Sequence, residues 1–245
     1  MKGDIKSFAG LVSASEKIAV LTGAGISTAS GIPDFRSANG IYSRRNANVF
    51  DIGEFHRNPE SFYDFAREFY PIVKKAEPNA AHRALAQCEK AGKDVRIATQ
   101  NIDDLHQRAG STKVYPVHGT VLTSTCTACD RTCRTAEIEP TVMAGRLPMC
   151  ACGGVFKPDI VFFGEMLPET AWNRSVQAMA EADLVLVLGT SLAVYPAAAL
   201  PDSRRPEARV VIVNRDPTPL DRVADEVFHD DLTDVFERLK PLIAS

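Results

Sequence analysis

Five of the six cysteines lie between residues 126 and 152, a density that points to metal binding. Cys126 and Cys129 form a Cys-x-x-Cys pair, and Cys150 and Cys152 form a Cys-x-Cys pair after twenty intervening residues. Two close pairs at such a separation are typical of zinc, and four thiolates leave no open position for water. The spacing therefore predicts one structural zinc ion. Cys133 stays an alternative ligand, because Cys129-x-x-x-Cys133 is also a possible spacing.

A glycine-rich turn follows the first apolar run of the chain. It consists of Gly23, Ala24, Gly25, Ile26, Ser27 and Thr28. Glycines in such a turn let the backbone approach a pyrophosphate, although a tight strand-to-helix turn has the same composition. The acidic residue that a dehydrogenase carries about 20 residues further on is not obvious here. Pro33-Asp34-Phe35-Arg36 follows the turn instead, which argues against an ordinary dehydrogenase.

Three more polar loops follow apolar runs that read as strands. They are Gln100-Asn101-Ile102-Asp103, Gly189-Thr190-Ser191 and Asn214-Arg215-Asp216. Ligands bind outside the carboxyl ends of the strands in open α/β sheets, so these loops are predicted to contribute to one nucleotide site. Gly, Ser, Asn and Asp are also favoured in turns, which is the alternative explanation for each loop taken singly.

His118 lies beside Gly119, after a short apolar stretch at residues 114–117. An imidazole titrates near neutral pH and can act as a general base, and a neighbouring glycine leaves it accessible to a ligand. A structural histidine is the alternative, because only the geometry of a site confers function. His82 is predicted instead to cap or pack the start of a helix.

Four continuous apolar runs predict buried parallel strands, because apolar and polar side chains do not alternate within them. These runs are residues 18–21, 95–99, 184–188 and 210–213. Helices are predicted at residues 80–91, 168–181 and 232–242, and Pro241 is expected to end the regular part of the last one. Strands that alternate with helices predict a doubly wound α/β fold.

Two segments depart from this alternation and predict separate modules. Residues 33–77 are rich in aromatic side chains and read as a loop followed by helices that pack on the main domain. Residues 122–156 hold the cysteine pairs and are interrupted by prolines, which predicts a zinc-binding module. The main nucleotide-binding domain is predicted to comprise residues 1–32, 78–121 and 157–245.

The composition is that of an ordinary globular protein and narrows the range of partners. With 45% hydrophobic and 24% charged residues among 245, the chain can bury a sizeable core. A formal net charge of −3 provides no broad cationic field for nucleic acid or an anionic membrane. The N-terminal segment lacks the apolar core of a signal peptide. We therefore expect a cytoplasmic protein without a bilayer-spanning segment, in a reducing compartment.

Taken in order along the chain, these motifs resemble the signatures of the sirtuin family. The matching motifs are Gly23-Ala24-Gly25-Ile26-Ser27, Gly31-Ile32-Pro33-Asp34-Phe35-Arg36, Gln100-Asn101-Ile102-Asp103, Leu105-His106, Arg108-Ala109-Gly110, His118-Gly119, the cysteine pairs, Lys157-Pro158, Val161-Phe162-Phe163-Gly164-Glu165, Gly189-Thr190-Ser191 and Asn214. The resemblance is specific because no single motif carries it. One departure is the Cys150-x-Cys152 pair, where the family commonly has Cys-x-x-Cys.

The resemblance implies a Rossmann-like domain, a small domain made of a zinc-binding module and a helical module, and NAD as co-substrate. It also implies protein-lysine deacylation in which the acyl-lysine oxygen attacks the ribose carbon that bears nicotinamide. Nicotinamide leaves, and His118 acts as general base on a ribose hydroxyl that captures the acyl group. The products are free lysine and O-acyl-ADP-ribose, so NAD is consumed and not reduced.

The resemblance also assigns residues to the two ligands. The cofactor residues would be Gly23, Ala24, Gly25, Ile26, Ser27, Thr28, Asp34, Phe35, Arg36, Gln100, Asn101, Ile102, Asp103, Gly189, Thr190, Ser191, Asn214, Arg215 and, by position alone, Asp231. The acyl-lysine residues would be Val161, Phe162, Phe163, Gly164 and Glu165. Asn101 would orient the ribose and a water, and Asp103 would accept from the nicotinamide carboxamide. Val161 and Phe162 would line the lysine tunnel, and their extended backbone could pair with the substrate.

The acyl group is expected to be neutral, with acetyl first. Relatives that remove succinyl or malonyl groups share a Tyr-x-x-Arg pair, whereas Tyr63 and Arg67 are four residues apart here. Burying an acidic acyl group without a cationic partner would be costly. Two other functions stay open at this point: an NAD-dependent mono-ADP-ribosyltransferase, and a non-catalytic NAD-sensing module. Acyl-lysine proteins or peptides are the expected partners.

Overall fold

The computed structural model describes residues 3–35, 37, 40–44 and 47–243. Arg36, one of the predicted cofactor residues, lies outside these ranges.

The α-helices are α1 (Ile5–Ala14), α2 (Ile41–Arg44), α3 (Ile52–Arg57), α4 (Pro59–Lys75), α5 (Ala80–Lys90), α6 (Leu105–Ala109), α7 (Thr135–Met143), α8 (Glu169–Glu181) and α9 (Leu232–Ile243). The strands are β1 (Lys17–Thr22), β2 (Asp94–Thr99), β3 (Val114–Pro116), β4 (Gly119–Cys126), β5 (Thr132–Arg134), β6 (Phe156–Ile160), β7 (Leu184–Leu188), β8 (Arg209–Val213) and β9 (Glu226–Phe228). Short 3-10 helices cover Ala24–Ser30, Ala47–Phe50, Ala197–Ser203 and Asp221–Val223.

Six of these strands form a parallel sheet in the order β3-β2-β1-β7-β8-β9. The strand order reverses between β1 and β7, because the chain first adds strands on one side of β1 and later on the other. This arrangement confirms the doubly wound α/β fold and the four predicted strands. A reversal of strand order leaves a crevice at the carboxyl ends of the two strands.

Both faces of the parallel sheet are covered, which explains why its strands read as unbroken apolar runs. Ile18 and Val20 point into a core that also holds residues of α1, α5 and α9. Ala19 and Leu21 point into a second core on the opposite face, which includes Met179 of α8. Successive residues of β1 therefore serve different cores, and neither face is left for solvent.

A third core is built mainly from aromatic side chains of the segment 33–77. Phe50 packs edge-to-face against Phe65 at 5.0 Å and against Phe162 at 6.3 Å between ring centroids. Phe62 lies 5.1 Å from Phe162. Phe162 follows strand β6, so this aromatic cluster fixes the helices of segment 33–77 to the chain that leaves β6.

A smaller antiparallel sheet has the order β5-β4-β6. Strand β4 begins at Gly119, immediately after His118, and β6 ends at Ile160. These strands cross the predicted limits of the zinc-binding module at residues 122 and 156, so its hydrogen-bonded sheet extends a few residues beyond them. The three-part division of the chain stays a prediction.

One expectation about α9 is wrong. Pro241 was expected to end the regular helix, but the helix continues through it to Ile243. Proline removes one backbone donor, and this loss is small where only the final turn remains. Within the described ranges, none of the helices combines the length and apolar character needed to cross a bilayer.

Candidate active site

The glycine turn after β1 is pressed against the loop after β7, at the point where the strand order reverses. The Gly23 N–H donates to Leu188 O at 3.1 Å, and the Gly25 N–H donates to Gly189 O at 2.9 Å. A Cβ on Gly25 would lie 2.8 Å from Gly189 Cα, and Gly189 itself has a φ of +61°. The close approach of these two loops therefore requires glycine at both positions.

The loop after β2 joins this contact through side chains. Gln100 Nε2 donates to Thr190 Oγ1 at 2.9 Å, which links the loop after β2 to the loop after β7. Thr22 Oγ1 donates to Thr99 Oγ1 at 2.8 Å, which links the ends of β1 and β2. Three strand ends that are far apart in sequence are thus held together by hydrogen bonds.

These loops form one wall of a cleft of about 960 Å³. The predicted site residues that line it are Gly23, Ala24, Gly25, Thr28, Asp34, Phe35, Gln100, Asn101, Ile102, His118, Val161, Phe162, Phe163, Gly164, Glu165, Gly189, Thr190, Ser191, Asn214, Arg215 and Asp231. Three others, Ile26, Ser27 and Asp103, are buried and are not among the lining residues. The structure thus brings together residues from loops that are up to about 200 positions apart.

Asn101, Ser27 and Asp103 form a buried hydrogen-bond network beneath the cleft surface. Asn101 Nδ2 donates to Ser27 Oγ at 3.0 Å, and Ser27 Oγ donates to Asp103 Oδ2 at 2.9 Å. The Leu105 N–H donates to the other carboxylate oxygen, Oδ1, at 3.1 Å. Burial raises the pKa of Asp103, and these hydrogen bonds oppose that effect. The network holds the Asn101 amide in place at the cleft.

His118 faces the cleft from the connection between β3 and β4. Its Nδ1 lies 3.0 Å from Gln100 O, a carbonyl that can only accept, so Nδ1 carries the proton and Nε2 is left with a lone pair. Burial lowers the pKa of His118. The His118 carbonyl accepts from the Val161 N–H at 2.9 Å, which ties the histidine to the chain that follows β6.

Gly119 allows this approach between His118 and β6. Its φ is +77°, and a Cβ there would lie 2.0 Å from Asp159 O. Any other residue would push β4 away from β6 and would displace the neighbouring histidine. The glycine beside His118 thus serves a close backbone contact as well as access to the ring.

Hydrogen bonds already occupy part of the backbone at residues 161–165. The Phe163 N–H donates to Phe50 O at 2.7 Å, and Phe163 O accepts from the Ile52 N–H at 3.1 Å. The Phe162 N–H donates to Glu165 Oε2 at 2.7 Å. A substrate strand would therefore have to pair with other backbone groups of this segment or with the residues that follow it.

Arg215 and Asp231 form an ion pair at another part of the cleft. Asp231 Oδ1 also accepts from the Thr233 N–H at 2.9 Å, so Asp231 caps the start of α9. Burial by itself would raise the pKa of Asp231, but the pairing with Arg215 and the hydrogen bonds from the Thr233 and Asp234 N–H groups lower it below its ordinary value. Asp231, predicted as a cofactor residue by its position alone, thus lines the cleft with Arg215 as its partner.

Several residues that line the cleft were not predicted. Met166 and Tyr195 are the most exposed large apolar side chains of the described chain, at 92% and 73%, and Trp172 lies near them in the lining. Their sequence signal was weak, because a single apolar residue in a loop is common on protein surfaces.

The four predicted cysteine ligands come together between β4 and β6. Their sulfur atoms all lie within 4.8 Å of one another, with 3.5 Å between Cys126 and Cys152 and 3.8 Å between Cys129 and Cys150. Zinc–sulfur bonds of about 2.3 Å place the sulfurs of a tetrahedral site about 3.8 Å apart. The four cysteines are therefore positioned to bind one zinc ion. Cys133 lies outside this set and packs beside it.

Tyr63 and Arg67, which are four residues apart in the sequence, both lie on α4. Tyr63 is 1% exposed, and its hydroxyl donates to Phe156 O. Burial raises its pKa. Arg67 pairs with Asp64 on the helix surface. Neither side chain lines the cleft.

Comparison with known proteins decides the family. The model of the Sir2 family matches residues 23–196. The chain belongs to the Sir2 family. This confirms the resemblance to the sirtuins, and the matched segment contains both the glycine turn and the cysteine pairs.

Relatives in the Sir2 family match almost the whole chain. A Thermotoga maritima protein named NAD-dependent protein deacetylase is 43% identical over 238 residues, which cover 96% of each chain. A Mycolicibacterium smegmatis protein named NAD-dependent protein deacylase Sir2 is 40% identical over 236 residues, which cover 93% of this chain and 98% of that one.

Solved Sir2 structures have the same fold. One contains a deacetylated p53 peptide and 3′-O-acetyl ADP-ribose; it is 43% identical, with a TM-score of 0.92 over 98% of both chains. Another, of Sir2 with p53 peptide and NAD⁺, is 42% identical, with a TM-score of 0.89 over 97% of this chain and 98% of that one.

Proposed function

We propose that this Sir2-family protein is an NAD-dependent protein-lysine deacetylase that yields nicotinamide, deacylated lysine and O-acetyl-ADP-ribose. One observation carries the proposal: His118 faces the same cleft as the glycine turn and Asn101, with Nδ1 against a carbonyl. The names of the relatives, and the peptide, NAD⁺ and acetyl-ADP-ribose in the solved structures, support the same activity.

The loops around the turn fit a dinucleotide. The cleft is large enough for one, and it opens at the reversal of strand order, where open α/β sheets bind nucleotides. When bound, NAD supplies a ribose carbon from which nicotinamide can leave. We assign Gly23, Ala24 and Gly25 to the phosphates and Asn101 to the nicotinamide ribose. Asp103 does not line the cleft, so we propose that it acts through Ser27, which donates to it.

His118 is proposed to remove a proton from a ribose hydroxyl through Nε2. Its lowered pKa keeps the imidazole neutral, and therefore basic, below the pH at which a free histidine takes up a proton. The Gln100 carbonyl fixes the tautomer and the ring orientation. General-base catalysis of this kind contributes on the order of 10²- to 10⁴-fold to a rate.

The aromatic side chains around the cleft exclude water from the reaction. Phe35 lies 5.5 Å from Tyr42 and 5.7 Å from Phe50 between ring centroids, so its ring is anchored in the aromatic cluster. We assign Phe35 to cover the nicotinamide ribose and Phe162 to line the lysine tunnel. Excluding water protects a sugar cation from hydrolysis before the amide oxygen reaches it.

The charges of the cleft favour a neutral acyl group. Among its described lining residues Arg215 is the only lysine or arginine, and it is already paired with Asp231. An acyl carboxylate would lose its water without gaining a cation, which costs several kcal/mol. We therefore propose acetyl-lysine in proteins or peptides as the substrate. The formal net charge of −3 provides no broad cationic field, so we propose no direct nucleic-acid or membrane partner, and a cytoplasmic location.

The test is mass spectrometry of the products from NAD and acetyl-, succinyl- and longer acyl-lysine peptides. We expect O-acetyl-ADP-ribose from the acetyl peptide. His118→Ala should lower kcat by about 10²-fold or more while NAD still binds. His56→Ala, an exposed histidine on α3, is the control and should keep full turnover.

Three outcomes would contradict the proposed activity or the role of His118. Transfer of labelled ADP-ribose to protein without deacetylation would indicate a mono-ADP-ribosyltransferase. NAD binding without any product would indicate a sensing module. Unchanged turnover in His118→Ala would remove His118 from the mechanism.

A further inference from the structure

Lys157, the second residue of β6, has its ammonium group almost enclosed by the chain that follows it. Its side chain is 12% exposed. Nζ lies 2.9 Å from Ile160 O, 3.3 Å from Pro158 O and 2.8 Å from Glu165 Oε2. An ammonium has three donors, and three acceptors surround this one. Lysine side chains are rarely so buried, so this burial indicates a more specific role than that of an ion pair on the surface.

The same carboxylate oxygen also fixes the backbone of the loop. Glu165 Oε2 accepts from Lys157 and from the Phe162 N–H, at 2.8 and 2.7 Å. The Glu165 N–H in turn donates to Phe162 O at 3.0 Å. Residues 160–165 are therefore closed into a compact arc whose two ends meet at the lysine ammonium.

The ammonium group also lies over the ring of Phe162, 4.3 Å from its centroid. Phe162 is 1% exposed and packs on Phe62 and Phe55. The ring is held from its other sides by the aromatic cluster, so the lysine is positioned against a fixed surface. Through this contact Lys157 attaches the arc to the aromatic cluster, in addition to closing the arc.

The arc is connected directly to His118. The Val161 N–H, within the arc, donates to His118 O at 2.9 Å. A shift of the arc would therefore move the proposed lysine tunnel and the histidine backbone relative to each other. Small displacements of this kind lower the reaction rate, because a misplacement of about 1 Å can reduce it by about 10²-fold.

We propose that Lys157 is a positioning residue for the acyl-lysine substrate, acting through Glu165 and Phe162 and not touching the reacting atoms. This inference rests on the proposed function. Because the lysine holds the arc and not the glycine turn, its loss should weaken the use of peptide far more than the use of NAD.

Lys157→Met is the main variant, since methionine keeps the length and the contact with Phe162 but loses the charge and the donors. We expect the KM for an acetyl-lysine peptide to rise by about tenfold or more, with the KM for NAD changed less than about twofold. Lys74→Met is the matched control: Lys74 is exposed on α4 and pairs with Glu139, so both KM values should stay at the wild-type level.

Glu165→Gln tests the same contact from its other partner, and should raise the peptide KM in the same direction. In the double variant Lys157→Met/Glu165→Gln the two effects on the peptide KM should not add, because each substitution removes the same Lys157–Glu165 contact. Lys157→Arg should restore the peptide KM only in part, because a planar guanidinium cannot reproduce three divergent donors.

Peptide affinity measured directly by fluorescence anisotropy separates this inference from the proposed function. Wild-type protein that binds peptide but forms no product would count against the deacetylase assignment alone. The proposed role of Lys157 would be wrong if Lys157→Met bound the peptide as tightly as the wild-type protein does. It would also be wrong if the substitution raised the KM for NAD as much as the KM for the peptide. If Lys157→Met does not fold, Glu165→Gln provides the test. Peptide binding by Glu165→Gln as tight as that of the wild-type protein would overturn the proposed role of Lys157.

Discussion

At the scale of single residues, two buried histidines lie beneath the glycine turn. The ring centroids of His82 and His106 are 4.7 Å apart. The Asn79 N–H donates to His82 Nδ1 at 3.4 Å, which completes a capping box at the start of α5, as predicted for His82. His106 Nε2 lies 3.1 Å from Thr22 Oγ1, at the end of β1. The pair therefore supports the turn from below.

Because these two histidines are buried, we expect the folded protein to lose stability in acid. Burial, with a smaller effect from Arg83, lowers the pKa of His82 to about 4, from 6.5. The unfolded chain therefore takes up a proton at a higher pH than the folded chain does. The contribution of His82 to the free energy of unfolding should be constant above about pH 7 and should fall as the pH drops towards 4, by on the order of 3 kcal/mol.

Urea unfolding at several pH values provides the measurement. His82→Gln keeps a polar side chain but cannot be protonated, so its unfolding free energy should fall less steeply between pH 6.5 and pH 4. His56→Gln, which replaces an exposed histidine on α3, is the control for a histidine substitution outside this pair. Identical slopes for His82→Gln and wild type would show that His82 does not contribute.

At the scale of elements, the cysteine cluster takes the place of a hydrophobic core around the predicted metal site, whereas Val121 of β4 and Ile160 of β6 pack in the aromatic core. The buried cluster there contains only Ile138 and Phe156 besides two of the cysteines. Such a small apolar core cannot offset the entropy lost by ordering the segment. The metal must therefore contribute much of the local stability, as in other small zinc modules.

Removing zinc should unfold this part of the chain selectively. A strong chelator, or Cys150→Ser, should abolish amide-exchange protection in β5 and at the Cys126 end of β4 while the amides of β1 and β7 stay protected. Wild-type protein should contain about one zinc per chain, and Cys133→Ser is the control that should retain it. Equal loss of zinc in Cys133→Ser would mean that the fifth cysteine is a ligand.

At the scale of the whole molecule, the cleft is formed by both sheets and by the aromatic cluster. The parallel sheet supplies the glycine turn and the polar loops, whereas His118 lies at the start of the antiparallel sheet. Neither sheet alone contains the complete set of proposed site residues. Ligand binding should therefore stabilise the chain as a unit.

NAD at about 100 times its Kd should raise the free energy of unfolding by about 2.7 kcal/mol. Gly25→Ala should lose most of this effect, because its Cβ would lie 2.8 Å from Gly189 and force the two loops apart. Gly10→Ala is the control, because a Cβ there meets nothing within 4 Å. Differential scanning fluorimetry with NAD measures the difference, and an undiminished shift in Gly25→Ala would contradict it.

Much of this architecture could be predicted because its signals are local. The run at residues 184–188 coincides with β7, and the run at 210–213 lies within β8. Continuous apolar runs of this length identify buried strands without any knowledge of their neighbours. The cysteine spacing likewise indicates a metal site, since ligand pairs are local in sequence.

The antiparallel sheet was not predicted, because its pairing is not local. Strands β4 and β6 are separated by about thirty residues that include three cysteines of the cluster and α7, so the sequence of neither strand identifies its partner. The enclosure of Lys157 was missed for the same reason: a lysine in a strand reads as an exposed charge until its acceptors are known.

By itself, the sequence determined the sheet type, the presence of a metal site and the family, because apolar runs, cysteine spacing and ordered motifs are properties of the chain. Only the tertiary structure decided that Asp103 lies beneath the cleft, that Arg215 pairs with Asp231 and that Lys157 holds the arc after β6. These outcomes depend on distances between segments remote in sequence, and such distances are set by packing.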